Sequence, residues 1–578
     1  MAQISTLSFF GGGLAAGAVA IAISLLLRLY MGGLFVPELA SQTLFSLTPG
    51  EVESQAVQTL GSLAKYSSFI GAVIVNIIVY GLIGILLGSG RLYNKLPWKG
   101  YLGKAIQSSI IAYVILLALS ALLLSLTEAT TTGAVSISDL VIYLIAPNIG
   151  FGFLLPFFYE RRILSVHLHR QPPPSPPSTQ TSESQKEEAS TDISSSKSEV
   201  DYKKRLLLRA GIASAVALPI LFYGTNRLLF PPSAPAIPST QSPSILQSGP
   251  KPAGFENPIL TPLLQSEITP TDLFYRIDIN PITPMVNAST WKLTVKGLVN
   301  NPFEMTYEEL KAMPSVEQYA TLECISNKIG GDLISNAIWK GIRLKDLLGR
   351  AQIKPDSGAK YIVFRCFDGY DVGIPLEKGL EDGTILAYEM NKATLTPAHG
   401  YPVRAIVPNI YGMMNAKWIT EIEVVDSVYE GFWQRKGWSN IAKYNTHSYT
   451  VVPGNAAVSK RFRGFQASST SSANTLPNGG GGGGGNGVTI DGIVFAGDRG
   501  ISKVEVSTDN GSTWKAARIK EPLSQYTWVL WTAELNQPDN NKEYRVMVRA
   551  TDSTGTVQTN KITNPFPNGA TGYHIINV

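Results

Sequence analysis

Four long runs without a charged side chain fill the first 165 residues, and they constrain the fold more than any other feature. Residues 66–90, 105–127 and 140–159 carry no Asp, Glu, Lys or Arg, and residues 1–27 are equally free of charge until Arg28. A bilayer core of about 30 Å needs about 20 apolar residues of helix. A single run of this kind fits a buried core helix, but four in succession fit a bundle of membrane spans. The whole chain of 578 residues has only 16% charged residues, against roughly 25% in ordinary soluble domains. Its net charge of +5 is small for this length and gives no basis for nucleic-acid binding.

A stretch rich in Pro, Ser, Thr and Glu follows at about 171–200 and reads as a disordered linker, because it lacks the apolar surface to offset ordering entropy. A fifth apolar segment, roughly 206–229, has 17 uncharged residues after Arg209, enough for a span. Its start, Lys203-Lys204-Arg205-Leu206-Leu207-Leu208-Arg209, resembles a twin-arginine export signal with lysine in the first position and is equally compatible with a plain basic anchor. Basic residues mark cytoplasmic loops. The loop 91–104 holds Arg91, Lys95, Lys99 and Lys104, whereas Glu38, Glu51 and Glu53 precede it and Glu128 and Asp139 follow. The linker is flanked by Arg161, Arg162 and Arg170 and by Lys203, Lys204 and Arg205. The linker is therefore expected in the cytoplasm and everything beyond about 231 outside it, in a multi-pass cell-membrane protein.

The expected division is a four-helix transmembrane region (1–165), a cytoplasmic linker (166–204), a fifth helix (205–230), a tether (231–265), an α+β catalytic domain (266–444) and an immunoglobulin-like β-sandwich (445–578). In the catalytic domain WKLTVKGLV (291–299), YIVFRCFDG (361–369) and ITEIEVVD (419–426) read as strands, and Thr306–Ala312 as a short capped helix. Beyond 445 helix signals stop. Strands separated by turns remain, with a hairpin-type turn at Asp509-Asn510-Gly511. The glycine run within 467–487 reads as a flexible insert that matches no phosphate-binding fingerprint.

Redox chemistry is bounded by the rare residues. Two cysteines, Cys324 and Cys366, exclude a disulfide scaffold and four-cysteine metal centres. The five histidines, at 167, 169, 399, 447 and 574, leave the candidate spans without one, so a bis-histidine haem in the bundle is excluded. Cys324 closes an apolar strand and opens a polar, Gly-rich loop, a position from which a thiolate can hold a soft metal. Cys366 lies within a strand and reads as structural.

Residues 319–348 (YATLECISNKIGGDLISNAIWKGIRLKDLL), FRCFDGY (364–370), LAYEMN (386–391), AHGYPVRAIVP (398–408) and YGMMNAKWITEIEV (411–424) resemble the molybdenum-binding domain of the sulfite oxidase family. The segment 494–514 resembles that family's immunoglobulin-like dimerisation domain. The resemblance covers about 266–578 and not the apolar helices. It implies a molybdenum–molybdopterin cofactor with one protein thiolate, at Cys324, and a pterin phosphate gripped by His399, Arg404 and Lys417. It implies Tyr388 beside the substrate oxo group and Trp339 near the same pocket. It also implies a homodimer through the C-terminal domain.

The sequence departs from sulfite-oxidising members in two places. Ile329, next to Lys328, stands where those members carry an arginine, and Arg276-Ile277-Asp278 stands where they carry Arg-Asn-His. The resemblance therefore implies a membrane-anchored molybdenum oxidoreductase, acting on a small oxyanion or on an S-oxide or N-oxide, as in the methionine sulfoxide reductases. No haem is expected in the chain, so a cytochrome or separate membrane subunit is expected as electron carrier. A non-catalytic membrane assembly module is the competing class.

Overall fold

The computed structural model describes residues 6–31, 33–60, 62–88, 100–126, 137–159, 208–209, 211–225, 244–245, 267–280, 282–354, 357–451, 487–536 and 545–577. The linker, nearly all of the tether, the twin-arginine-like motif up to Leu207 and the glycine insert lie outside the described residues. The chain forms two compact units, residues 1–47 with 65–232, and residues 48–64 with 233–578.

The first unit is helical: α1 (Thr6–Met31), α2 (Val36–Leu47), most of α4 (Ser62–Gly88), α5 (Gly100–Leu126), α6 (Ile137–Tyr143), α7 (Ile145–Tyr159) and a shorter apolar helix, α8 (Gly211–Thr225). Four segments are long and apolar enough to cross a membrane: Phe9–Met31, Tyr66–Gly88, Gly100–Leu126 and Ile137–Phe158. Their outer faces expose Ile74, Leu82, Val114 and Leu122, as lipid-facing positions do. Small residues set the packing: a Cβ at Gly13 would lie 2.7 Å from the Tyr80 carbonyl oxygen. Close backbone approach of this kind takes the place of the hydrophobic effect between helices in lipid.

α3 (Gly50–Leu60), which lies in sequence between the first two candidate spans, groups with the second unit. From sequence it was expected with residues 1–165.

The second unit contains two mixed sheets and a sandwich. The first sheet joins β1 (Ser244–Ile245), β4 (Ser315–Glu323), β5 (Ile334–Arg343), β8 (Ile385–Met390) and β10 (Arg404–Ile406) in that order, with β9 (Ala393–Thr394) on β8. The second has the order β3 (Phe303–Thr306), β2 (Lys292–Gly297), β11 (Ile419–Val425), β6 (Tyr361–Cys366) and β7 (Asp371–Pro375). Helices α9 (Tyr307–Lys311), α10 (Leu344–Ala351) and α11 (Leu376–Gly379) connect them. The short helix expected over Thr306–Ala312 is capped by a capping box: the Glu309 amide donates to the Thr306 hydroxyl, and the Thr306 amide donates to the Glu309 carboxylate. A core of Leu293, Val295, Ile362, Phe364, Ile422 and Val424, each almost fully buried, fixes the second sheet.

Two four-stranded sheets form the sandwich: β12 (His447–Val451), β13 (Gly487–Phe495), β17 (Val529–Asn536) and β16 (Arg518–Ile519); and β15 (Lys515–Ala516), β14 (Ile501–Ser507), β18 (Arg545–Asp552) and β19 (His574–Asn577). Ile490, Val504, Trp531, Val546 and Val548 fill the space between them. Asn510 and Gly511, both with positive φ, turn the chain from β14 to β15, as the Asp-Asn-Gly signal requires.

Candidate active site

Nine paired residues of β4, most of them buried, deliver the chain to Cys324. There the ladder ends. The Cys324 carbonyl accepts from the Asn327 amide at 3.0 Å, which starts the loop, and the Cys324 Sγ lies 3.0 Å from the Ser326 Oγ. The thiol is buried, and burial pushes its pKa above the ordinary thiol value. Cys324 lines a cavity whose lining also includes Tyr275, His399, Arg404 and Lys417.

A tight turn carries another of the lining residues. Pro397–His399 closes a short helical turn and Gly400 follows at φ +104°, where a side chain would be strained and would crowd Arg404 and Lys417. The His399 Nε2 lies 2.7 Å from the Thr271 carbonyl, to which it donates. Burial and the Arg404 charge push the His399 pKa down to about 3, so the ring is neutral. Arg404, at the start of β10, is buried; burial pushes its pKa down to about 10. One Nη donates to the His399 carbonyl at 3.2 Å, and the Nε has no hydrogen-bond partner among the described residues. Lys417 donates to Asp278 at 3.1 Å, and Arg276 pairs with the same carboxylate at 3.0 Å.

The cavity thus brings together four of the six residues expected from sequence, Cys324, His399, Arg404 and Lys417. Trp339 and Tyr388 are not on its lining. Trp339 is fully buried behind Arg404, 4.9 Å from the guanidinium, and donates from its Nε1 to the Ala320 carbonyl. Tyr388 belongs to a different core cluster from its strand neighbour Ala387. Successive side chains of a strand point to opposite faces, so Ala387 joins the Cys324 and Trp339 cluster while Tyr388 turns away. In its place Tyr275, Tyr370, Trp433 and Trp438 supply aromatic lining. Tyr275 and Trp438 carry no signal in the sequence, since a lone aromatic in a loop has no spacing pattern. Glu53, from α3, also lines the cavity, and nothing in its local sequence points there. Cys366, the last residue of β6, is buried in the sheet core away from the lining.

The family model described as the oxidoreductase molybdopterin binding domain matches residues 280–433, and the Mo-co oxidoreductase dimerisation domain matches 478–568. The sulfite oxidase of Arabidopsis thaliana is 29% identical over 366 residues, 55% of this chain and 88% of that protein. The oxidoreductase YuiH of Bacillus subtilis is 33% identical over 148 residues, 26% of this chain and 72% of that one. This chain belongs to the sulfite oxidase family. It is a molybdopterin-dependent oxidoreductase, with apolar helices ahead of the sulfite-oxidase-type domain and a β-rich dimerisation domain after it. The match to the human mitochondrial sulfite oxidase is 28% identical and spans 58% of that protein's length. The crystal structure of the sulfane dehydrogenase SoxCD from Paracoccus pantotrophus aligns with a TM-score of 0.45 at 22% identity, over 55% of this chain and 83% of that one.

The cavity suits the cofactor that this membership implies. A buried guanidinium with an unpartnered Nε is costly unless an anion meets it, and Arg404 faces the same cavity as a buried thiol. A phosphate-bearing, metal-holding group answers both.

Proposed function

We propose that the chain is a membrane-anchored oxygen-atom-transfer enzyme whose molybdenum is held by the Cys324 thiolate. The observation that carries the reading is that Cys324 and Arg404, whose Nε has no hydrogen-bond partner among the described residues, line one cavity. When bound, the molybdenum cofactor supplies oxygen-atom transfer coupled to a two-electron change. Cys324 would lose its proton to the solvent and hold the metal through sulfur, a soft donor for a soft site. Arg404 would fork two phosphate oxygens, Lys417 would add a point charge, and the neutral His399 would stay fixed on the Thr271 carbonyl. Trp339 would support Arg404 from behind.

The balance of charge favours an uncharged S-oxide or N-oxide over sulfite. The described lining has three cationic side chains, Arg276, Arg404 and Lys417, and three carboxyl groups, Asp278, Glu53 and Asp368, the last two with pKa values pushed up to about 7 by burial. Two of the cations are those assigned to the phosphate, and Arg276 is paired with Asp278. Lys328 is exposed and absent from the lining. A dianion entering this cavity would meet few uncommitted cations.

The apolar helices would anchor the enzyme in the cell membrane, with the catalytic domain outside the cytoplasm. The seating of α3, a loop helix between the first two candidate spans, in the catalytic unit supports that side. Without a haem of its own, the chain would pass electrons to or from an external cytochrome or membrane subunit. The segment 445–578 would join two copies. Dye-linked assays of the molybdenum-loaded protein with sulfite and with dimethyl sulfoxide test this reading. Turnover of either supports it, faster turnover of the S-oxide supports the charge argument, and a molybdenum-loaded chain inert to both contradicts it.

A further inference from the structure

Glu323, the residue before Cys324, is fully buried and stands apart from the cavity lining. Its Oε1 accepts three hydrogen bonds: from the His447 Nδ1 at 2.6 Å, the Tyr449 hydroxyl at 2.6 Å and the Asn327 Nδ2 at 2.9 Å. Asn327 stands on the other side of Cys324 in the chain. Its Nδ2 also donates to the Tyr449 hydroxyl at 2.7 Å, and its Oδ1 accepts from the Leu333 amide at 3.1 Å. The Cys324 amide in turn donates to the Leu333 carbonyl at 2.9 Å. The chain on both sides of the thiol is thus tied to one carboxylate oxygen.

That oxygen is held from the sandwich. His447 and Tyr449 are two apart on β12 and so share a face. The other ring nitrogen of His447, Nε2, lies 2.8 Å from the Ala570 carbonyl. Both nitrogens therefore meet accepting oxygens, and only an imidazolium donates from both. Burial works against that charge, but Glu323 outweighs it and raises the His447 pKa. A third sandwich residue closes on the same loop: a Cβ at Gly330, where φ is +69°, would lie 2.3 Å from the Nε2 of His574 in β19. All of these contacts lie within the second unit, and they join strands of the sandwich to the loop that presents Cys324.

We propose that His447 and Tyr449 are positioning residues for the metal ligand. Through Glu323 and Asn327 they fix the backbone from which Cys324 presents its sulfur, a task separate from joining two copies. The proposal rests on the reading of Cys324 as the ligand to molybdenum.

The test uses the full-length, molybdenum-loaded chain and its Tyr449→Phe, His447→Gln and Glu323→Gln/His447→Gln variants. Val504→Ala, in the sandwich core, controls for lost stability alone. Two readouts need no turnover: the rate of molybdenum loss during dialysis, followed by metal analysis, and the thiolate-to-molybdenum charge-transfer band. Groups that orient a metal ligand are typically worth about 10–100-fold in metal affinity. His447→Gln should therefore lose molybdenum at least about tenfold faster than the parent, with a shifted band. The double variant, which leaves no buried charge unpaired, should behave in the same way, and Tyr449→Phe, which removes one hydroxyl, should fall between it and the parent. Val504→Ala should keep the parent's rate and band while unfolding at a lower denaturant concentration. The parent's rate and band in both Tyr449→Phe and the double variant would overturn the proposal. So would equal molybdenum loss in Val504→Ala, which would mean that any loosening of the sandwich suffices, or loss that only follows dissociation of the copies in sedimentation. Cys324→Ser keeps the two claims apart: it should abolish the band, and a band that persists there contradicts the reading of Cys324 itself.

Discussion

The two walls of the cavity are built in opposite ways. The wall that carries Cys324, His399, Arg404 and Lys417 comes from closely spaced motifs mounted on two sheets, and each side chain is placed by a strand end or a tight turn. Another part of the lining comes from a helix, residues 50–60, far earlier in the chain and between two apolar spans, held by Lys436 and by the close approach at Gly50. The first wall has chemistry that the cofactor dictates, so few residue types suit it. The second carries none of the residues assigned to the cofactor. Variants of the first wall should therefore be the ones that remove function.

The largest effect should come from Cys324→Ser. A hydroxyl is a harder and far less acidic donor than a thiol, and turnover should fall to background in a dye-linked assay, with the fold intact by circular dichroism. Arg404→Met should come next. Removing a buried cation whose Nε is unpartnered should stabilise the cofactor-free chain, by about 1–4 kcal/mol in denaturant unfolding, while molybdenum content falls sharply by metal analysis. That pairing of gained stability with lost cofactor distinguishes a phosphate-gripping residue from a structural one.

A smaller effect concerns acid. The His399 pKa is pushed down to about 3 from 6.5, by burial and by Arg404. The unfolded chain binds this proton first as pH falls, so the stability from neutral His399 is complete above about 6.5 and is lost as pH falls towards about 3. Over that window the loss is roughly 1.4 kcal/mol per pH unit. His399→Gln should flatten the decline in unfolding of the cofactor-free chain, though not remove it, because burial also pushes the His574 pKa down, to about 4. The smallest effect should be Cys366→Ser, a buried hydroxyl in a sheet core, at about 1–3 kcal/mol of stability with turnover retained. Loss of turnover there would break the distinction between the two cysteines.

The same contrast explains what was legible in the sequence. Four apolar runs revealed helices long enough to span a bilayer, because bulk hydropathy is a local property. Strands β2 and β11 followed from alternation, β6 from an apolar run, and α9 from its cap signal, which are local as well. Cys324 was visible because a strand pattern breaks into a Gly-rich loop beside it. Tyr388, which its motif put beside the substrate, is not on the cavity lining: its place in β8 turns it to the opposite face from Ala387, and only the register of the sheet decides that. Glu53 and Trp438 could not be read at all. Each depends on a tertiary contact, Glu53 with Lys436 and Trp438 with Gly50, across nearly four hundred residues, and no local pattern encodes such a meeting.

The central claim is that molybdenum binds in this cavity through the sulfur of Cys324. X-ray absorption at the molybdenum edge, on the loaded full-length chain and on Cys324→Ser, tests it most directly. The account predicts molybdenum in the parent protein and the loss of one molybdenum–sulfur scatterer in the variant. An unchanged sulfur shell in Cys324→Ser would contradict it.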